Sequence, residues 1–113
     1  MSLVFSIDSV FMSKLKYNKS TLSTLEEMFA EMGYMVRYEK GNFKSGYCIL
    51  KSKRLIVVNK YFPTDGRISC LADLMHFLLP QLDTGLLQRE EHLALLPVIE
   101  SHQPATAAEP SAE

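Results

Sequence analysis

The sequence predicts an α+β domain in which one layer of helices covers one face of a small three-stranded antiparallel sheet. Three observations carry that expectation. A helical pattern occupies Asn18 to Gly33, three short extended runs lie between Tyr34 and Asn59, and two more helical stretches follow before the chain turns to Pro, Ala, Thr, Ser and Glu. Helices on one face of a small sheet are the simplest way for such a series to bury its apolar sides.

In the first helix Leu22, Leu25, Met28, Phe29 and Met32 recur at steps of three and four, with Glu26, Glu27 and Glu31 on the other side. Asn18, Ser20 and Thr21 are candidate N-caps, and Gly33 suits the left-handed residue that ends a helix. The first strand, Tyr34 to Glu39, puts Tyr34, Val36 and Tyr38 on one face. Lys40-Gly41-Asn42 reads as a turn, Tyr47 to Lys51 as the second strand, and Ser52-Lys53 as another turn. The third strand, Arg54 to Asn59, is apolar on both faces through Leu55, Ile56, Val57 and Val58, so it should be well covered. Short connections favour an antiparallel meander. Pro63, Asp65 and Gly66 then break the pattern, and a second helix is expected from Arg67 to Leu79. A third helical stretch, capped by Asp83 or Thr84, should run through Leu96 to an interruption at Pro97, which is able to open a last turn over 97–101.

The expected layout is an N-terminal extension at 1–13, one domain at 14–102 and an acidic, structureless tail at 103–113. A chain of 113 residues has room for one such core. The first eleven residues are rich in apolar side chains (Leu3, Val4, Phe5, Ile7, Val10, Phe11). They lack a basic start, and Asp8 interrupts them, so they do not read as a secretory signal. Met12 offers a second start. No apolar run approaches the roughly 18 to 20 residues of a membrane span. Cys48 and Cys70 are too few for a disulfide framework and read as thiols of a reducing, cytoplasmic compartment.

The net charge of −1 conceals a separation: residues 14–67 hold eleven Lys or Arg against five Asp or Glu, whereas 68–113 hold only Arg89 against seven acids. The basic middle contains Arg37, Lys44, Lys51, Lys53, Arg54 and Lys60, with Tyr38 and Tyr47 among them. Cations beside exposed rings on a sheet can hold phosphates by charge and bases by stacking. These eight residues are therefore the candidate contacts for an anion or nucleic acid, although a sequence pI near 6.3 is low for a dedicated nucleic-acid binder.

Catalytic and metal chemistry find less support. Cys48, Cys70, His76 and His92 are the soft ligands, and none forms a closely spaced ligand pair. Cys70 and His76 would lie about 240° apart around a helix. Asp73 and His76, three apart, could touch, but no nucleophile is placed beside them. No glycine-rich phosphate loop is present. No metal or cofactor is expected.

Two resemblances add to this reading. The stretch Leu71-Ala72-Asp73-Leu74-Met75-His76-Phe77 resembles in layout the helix of zinc metallopeptidases that cleave phage-repressor-like proteins. Asp73, Leu74 and Phe77 stand where that family has its first His, its Glu and its second His, so no activity carries over. Residues 22–79 also resemble a group of short bacterial proteins without known activity, through Val36-Arg37-Tyr38-Glu39-Lys40-Gly41-Asn42-Phe43, Gly46-Tyr47-Cys48 and Ile56-Val57-Val58-Asn59-Lys60. The expectation is a non-enzymatic cytoplasmic accessory or adaptor module that binds protein, its own copies included. The alternatives are an RNA-associated protein using the basic region and a small enzyme completed by another chain.

Overall fold

Asn18 opens the first helix as its sequence suggested. Its side chain accepts a hydrogen bond from the Thr21 backbone N–H at 2.9 Å, capping α1 (Lys19–Glu31). The computed structural model describes residues 15–40 and 47–103. The expected extension at 1–13, the turn residues Gly41 and Asn42, the candidate contact Lys44 and the tail from 104 lie outside them. Leu25, Met28 and Phe29 form the buried stripe of α1, and Gly33 ends it at φ +91°. A side chain there would be strained, and its Cβ would stand 3.0 Å from Nη1 of Arg54, which lies across the turn.

The sheet contains β1 (Met35–Glu39), β2 (Tyr47–Leu50) and β3 (Leu55–Asn59), in the order β1-β3-β2. β3 runs antiparallel to β2 and parallel to β1, so the sheet is mixed and the antiparallel meander is corrected. Burial explains the difference. A meander would put β2 in the centre, but the fully buried residues of β2 are only the alternate Tyr47 and Ile49. β3 buries Ile56, Val57 and Val58 in succession, which fits a central strand with neighbours on both sides. A tight 3-10 turn at Lys51–Lys53, closed by Arg54 in the left-handed region at φ 50°, joins β2 to β3. The longer connection from Lys40 to Gly46 leaves β1 free to lie on the far side of β3.

The second helix starts earlier than expected, as α2 (Thr64–Leu78). Pro63, Asp65 and Gly66 start the helix rather than interrupting it: Pro63 takes the N-cap position, and Asp65 lies in the first turn, where a negative charge favours the helix dipole. A Cβ on Gly66 would be 3.4 to 3.5 Å from Pro63 and Phe62, an ordinary contact. The third helix differs more. Thr84–Leu86 forms only a 3-10 turn, and α3 (Glu90–Glu100) runs through Pro97 instead of stopping there. Pro97 costs one backbone hydrogen bond near the helix end. Buried Val98 and Ile99 hold the last turn in place, and the Ser101 hydroxyl donates toward the Pro97 and Val98 carbonyls at 3.1 and 3.3 Å.

The three described α-helices contribute to one core with the inner sheet face: Phe29, Ile49, Ile56, Val58, Leu71, Leu74, Met75 and Ile99 are among its fully buried members. No described helix is long and apolar enough to cross a membrane.

Candidate functional site

The strand register sorts the sheet into two faces. Val36 stands beside Ile56, and Ile56 beside Ile49; Tyr38 stands beside Val58, and Val58 beside Tyr47. These six side chains belong to the core or are packed against it. The alternate residues face the other way: Met35, Arg37 and Glu39 on β1, Leu55, Val57 and Asn59 on β3, and Cys48 and Leu50 on β2. Met35, Leu50, Leu55 and Val57 are apolar yet lie outside the core cluster. Met35 is 61 % exposed, whereas Val57, flanked by strands on both sides, is 7 % exposed. Arg37 and Glu39 pair at 2.6 Å along one margin, both about half exposed. Such a pair contributes about 0 to 1 kcal/mol, and it screens the edge strand from further pairing.

The structure separates the expected anion contacts. Lys51, Lys53 and Arg54 are exposed at the β2–β3 turn, whereas Lys60 lies beyond the opposite end of β3. A five-residue strand places these groups roughly 17 Å apart. Arg37 lies between them on the outer face. Tyr47 is in the core at 3 % exposure, with a buried hydroxyl that meets no hydrogen-bond partner. Burial first, then nearby Asp73 and Cys70, push its phenol up to about 12. Tyr38 also faces inward. Its hydroxyl donates to Glu26 on α1, and the Arg67 guanidinium lies over its ring, 4.4 Å from the centroid. Arg67 also donates to the carbonyls of Phe62 at 3.0 Å and Lys60 at 2.7 Å, tying the β3–α2 connection to the sheet. Desolvation, then the Glu26 hydrogen bond, raise the Tyr38 phenol well above its ordinary value. The exposed ring beside a cation is Tyr61, with Lys60 Nζ 5.5 Å from its centroid.

The titratable side chains of α2 meet partners that lie far away in sequence. Asp73 is buried, and His102 Nε2 donates to its Oδ1 at 2.6 Å; His76 Nδ1 donates to the Ile99 carbonyl at 2.9 Å. Together they clasp the end of α3 onto α2. Asp73 and His76, expected as a pair from their spacing, instead anchor two points of one helix end. Nothing local in the sequence signals the Asp73–His102 contact, because the residues are 29 apart. Cys70 is buried, and desolvation, followed by the Asp73 charge, pushes its thiol up to about 12. It is therefore a neutral thiol near pH 7. On the other side of α3, fully buried His92 donates through Nε2 to Glu27 at 3.2 Å, and Arg89 reaches the same carboxylate at 3.3 Å. Among the described residues no group of three or more His, Cys, Asp or Glu stands together as a metal site.

A shallow groove of about 330 Å³ lies between the start of α1 and α3, bordered by Lys16, Thr21 and Thr24 on one side and Glu91 and Leu95 on the other. Its walls mix polar and apolar side chains and lack a convergent buried polar group, unlike the usual small-molecule site. Comparison with protein-family models, curated proteins and solved structures finds no match.

Proposed function

We propose that this protein is a non-catalytic accessory or adaptor module that binds another protein through the outer face of its sheet. The observation that supports this reading is the apolar group Met35, Leu50, Leu55 and Val57, together with Cys48, on a face outside the core. Met35 is exposed and Leu50, Leu55 and Cys48 are partly so, and exposed apolar surface gathered on one face is a common mark of a protein-binding surface. Lys51, Lys53 and Arg54 flank one end, which favours a partner whose apolar residues adjoin acidic ones. Cytoplasmic residence belongs to the same reading, supported by two cysteines present as thiols.

The test is affinity capture from native lysate, with and without nuclease, comparing the native chain with Leu55→Lys and with Leu93→Lys on the exposed side of α3. The reading expects a nuclease-resistant partner that Leu55→Lys loses and Leu93→Lys keeps. Equal capture by both variants would remove the outer face from consideration. The second reading, RNA association, draws on the exposed Lys51–Lys53 turn and on Tyr61 beside Lys60. It expects binding to single-stranded RNA that falls steeply with salt.

A further inference from the structure

We infer that the outer sheet face of one copy receives α3 of a second copy, in a head-to-tail contact that a protein partner must displace. This inference rests on the outer face being a docking surface. The register places Met35, Leu55 and Leu50 in one apolar row across the three strands, with Val57 in the next row on that face. Lys51, Lys53 and Arg54 adjoin the end of that row and are exposed. They make no ion pair among the described residues, whereas Arg37 and Glu39 on the same face satisfy each other. The face therefore offers apolar side chains beside uncompensated positive charge.

α3 carries the complement on its solvent side. His92, Val98 and Ile99 are its buried residues, whereas Glu90, Leu93, Pro97 and Glu100 are exposed. Steps of three and four put those four exposed residues on one stripe of the helix. Leu93 is 48 % exposed and stands outside the core. Glu90 and Glu100 make no ion pair among the described residues, unlike Glu91, which Arg89 reaches at 3.5 Å. The stripe thus reads acid, apolar, apolar, acid over a length of about 15 Å. Along β3, roughly 17 Å separates the Lys51–Lys53 turn from Lys60. Two strand spacings make the face about 10 Å wide, the width of one helix. A helix lying along β3 puts Leu93 and Pro97 over Leu55 and Val57, with one glutamate at the basic turn. Opposite charge on the two surfaces, and like charge within each, favours this contact over either surface meeting its own copy.

A surface that binds a different surface of the next copy is not limited to a dimer. The footprint of one helix is small for a protein interface, so the contact is weak and forms at high concentration. Sedimentation velocity of the purified full chain, from micromolar to millimolar, tests this. The native chain should grow past dimer mass as concentration rises. Leu93→Lys, and separately Lys51→Glu with Lys53→Glu, should each weaken association by roughly tenfold or more. These positions are exposed, and circular dichroism checks that each variant is folded. Should Leu93→Lys fail to fold, Glu100→Lys takes its place on the same stripe. Mixed in equal amounts, the helix variant and the sheet variant should form a dimer that grows no further. The first retains its sheet face and the second its α3 stripe, so one productive contact remains. A native chain that stays monomeric throughout would overturn the inference. So would a mixture no more associated than its components, or either variant associating as the native chain does. If purified copies stay apart while Leu55→Lys still loses a partner from lysate, the docking face stands and the second copy is not its occupant.

Discussion

The two faces of the sheet are built from the same three strands and meet opposite fates. On the inner face Val36, Tyr38, Ile49, Ile56, Val58 and Tyr47 mesh with the helices, and the Tyr47 hydroxyl is buried while that of Tyr38 is partly so. On the outer face the side chains are nearly as apolar at Met35, Leu50, Leu55 and Val57, yet they stand outside that core. The outer face also carries Arg37, Glu39 and Asn59, so its lower hydrophobic content and the position of α1, α2 and α3 together make the inner face the core.

The largest expected effect tests that contrast directly. Ile56→Ala should destabilise the protein by about 2 to 5 kcal/mol, because it empties a fully buried site at the centre of the sheet. Met35→Ala, with a side chain mostly in water, should stay within about 0.5 kcal/mol. Urea denaturation of the two variants measures both. A comparable loss in each would mean that the outer face is as structural as the inner one.

His102→Ala should come next, at about 2 to 3 kcal/mol, since it leaves the buried Asp73 carboxylate without its charged hydrogen bond at 2.6 Å. The loss should appear as faster amide exchange at the end of α3, which this contact holds against α2. Exchange accelerated evenly over the whole chain would show that the contact does not act locally.

High pH should reveal the inner face selectively. Cys70 and Tyr47 have folded pKa values pushed up to about 12, from 9.0 and 10.0 respectively. Above pH 9 the unfolded chain loses protons that the folded chain retains, so the equilibrium shifts toward unfolding. Their contribution to stability is complete below about pH 9 and declines as pH rises toward about 12. Denaturation midpoints measured across this window should fall less steeply for Cys70→Ala than for the native chain. Identical slopes would contradict the assignment to Cys70.

The smallest effects separate the two inner tyrosines. Tyr38→Phe loses the bond to Glu26 and should cost about 1 kcal/mol. Tyr47→Phe removes a buried hydroxyl that has no partner, so it should be neutral or stabilising by up to about 1 kcal/mol. Thermal melts of both variants distinguish them by sign.

Much of the fold was legible in local sequence. The α1 stripe, its Asn18 cap and its Gly33 end follow from side-chain spacing and glycine's tolerance of positive φ, properties that act within a few residues. The apolar run of β3 announced a well-covered strand for the same reason. Strand order was not legible, because an alternating pattern specifies which side is buried and not which neighbour lies beside it. The placement of the candidate residues was equally hidden. Tyr38 lies between Arg37 and Glu39, and the sequence allows both tyrosines as exposed rings, with burial in the core as the alternative; the register with β3 turns both toward the helices. The Asp73–His102 clasp and the shared Glu27 contact of His92 and Arg89 join residues 29 to 65 positions apart. The sequence by itself determined the α+β class and the buried stripe and glycine end of α1, because these depend on composition and periodicity. Only the tertiary structure decided the mixed strand order and which face became the core, because those depend on where a long connection returns and on which side three helices find room to pack.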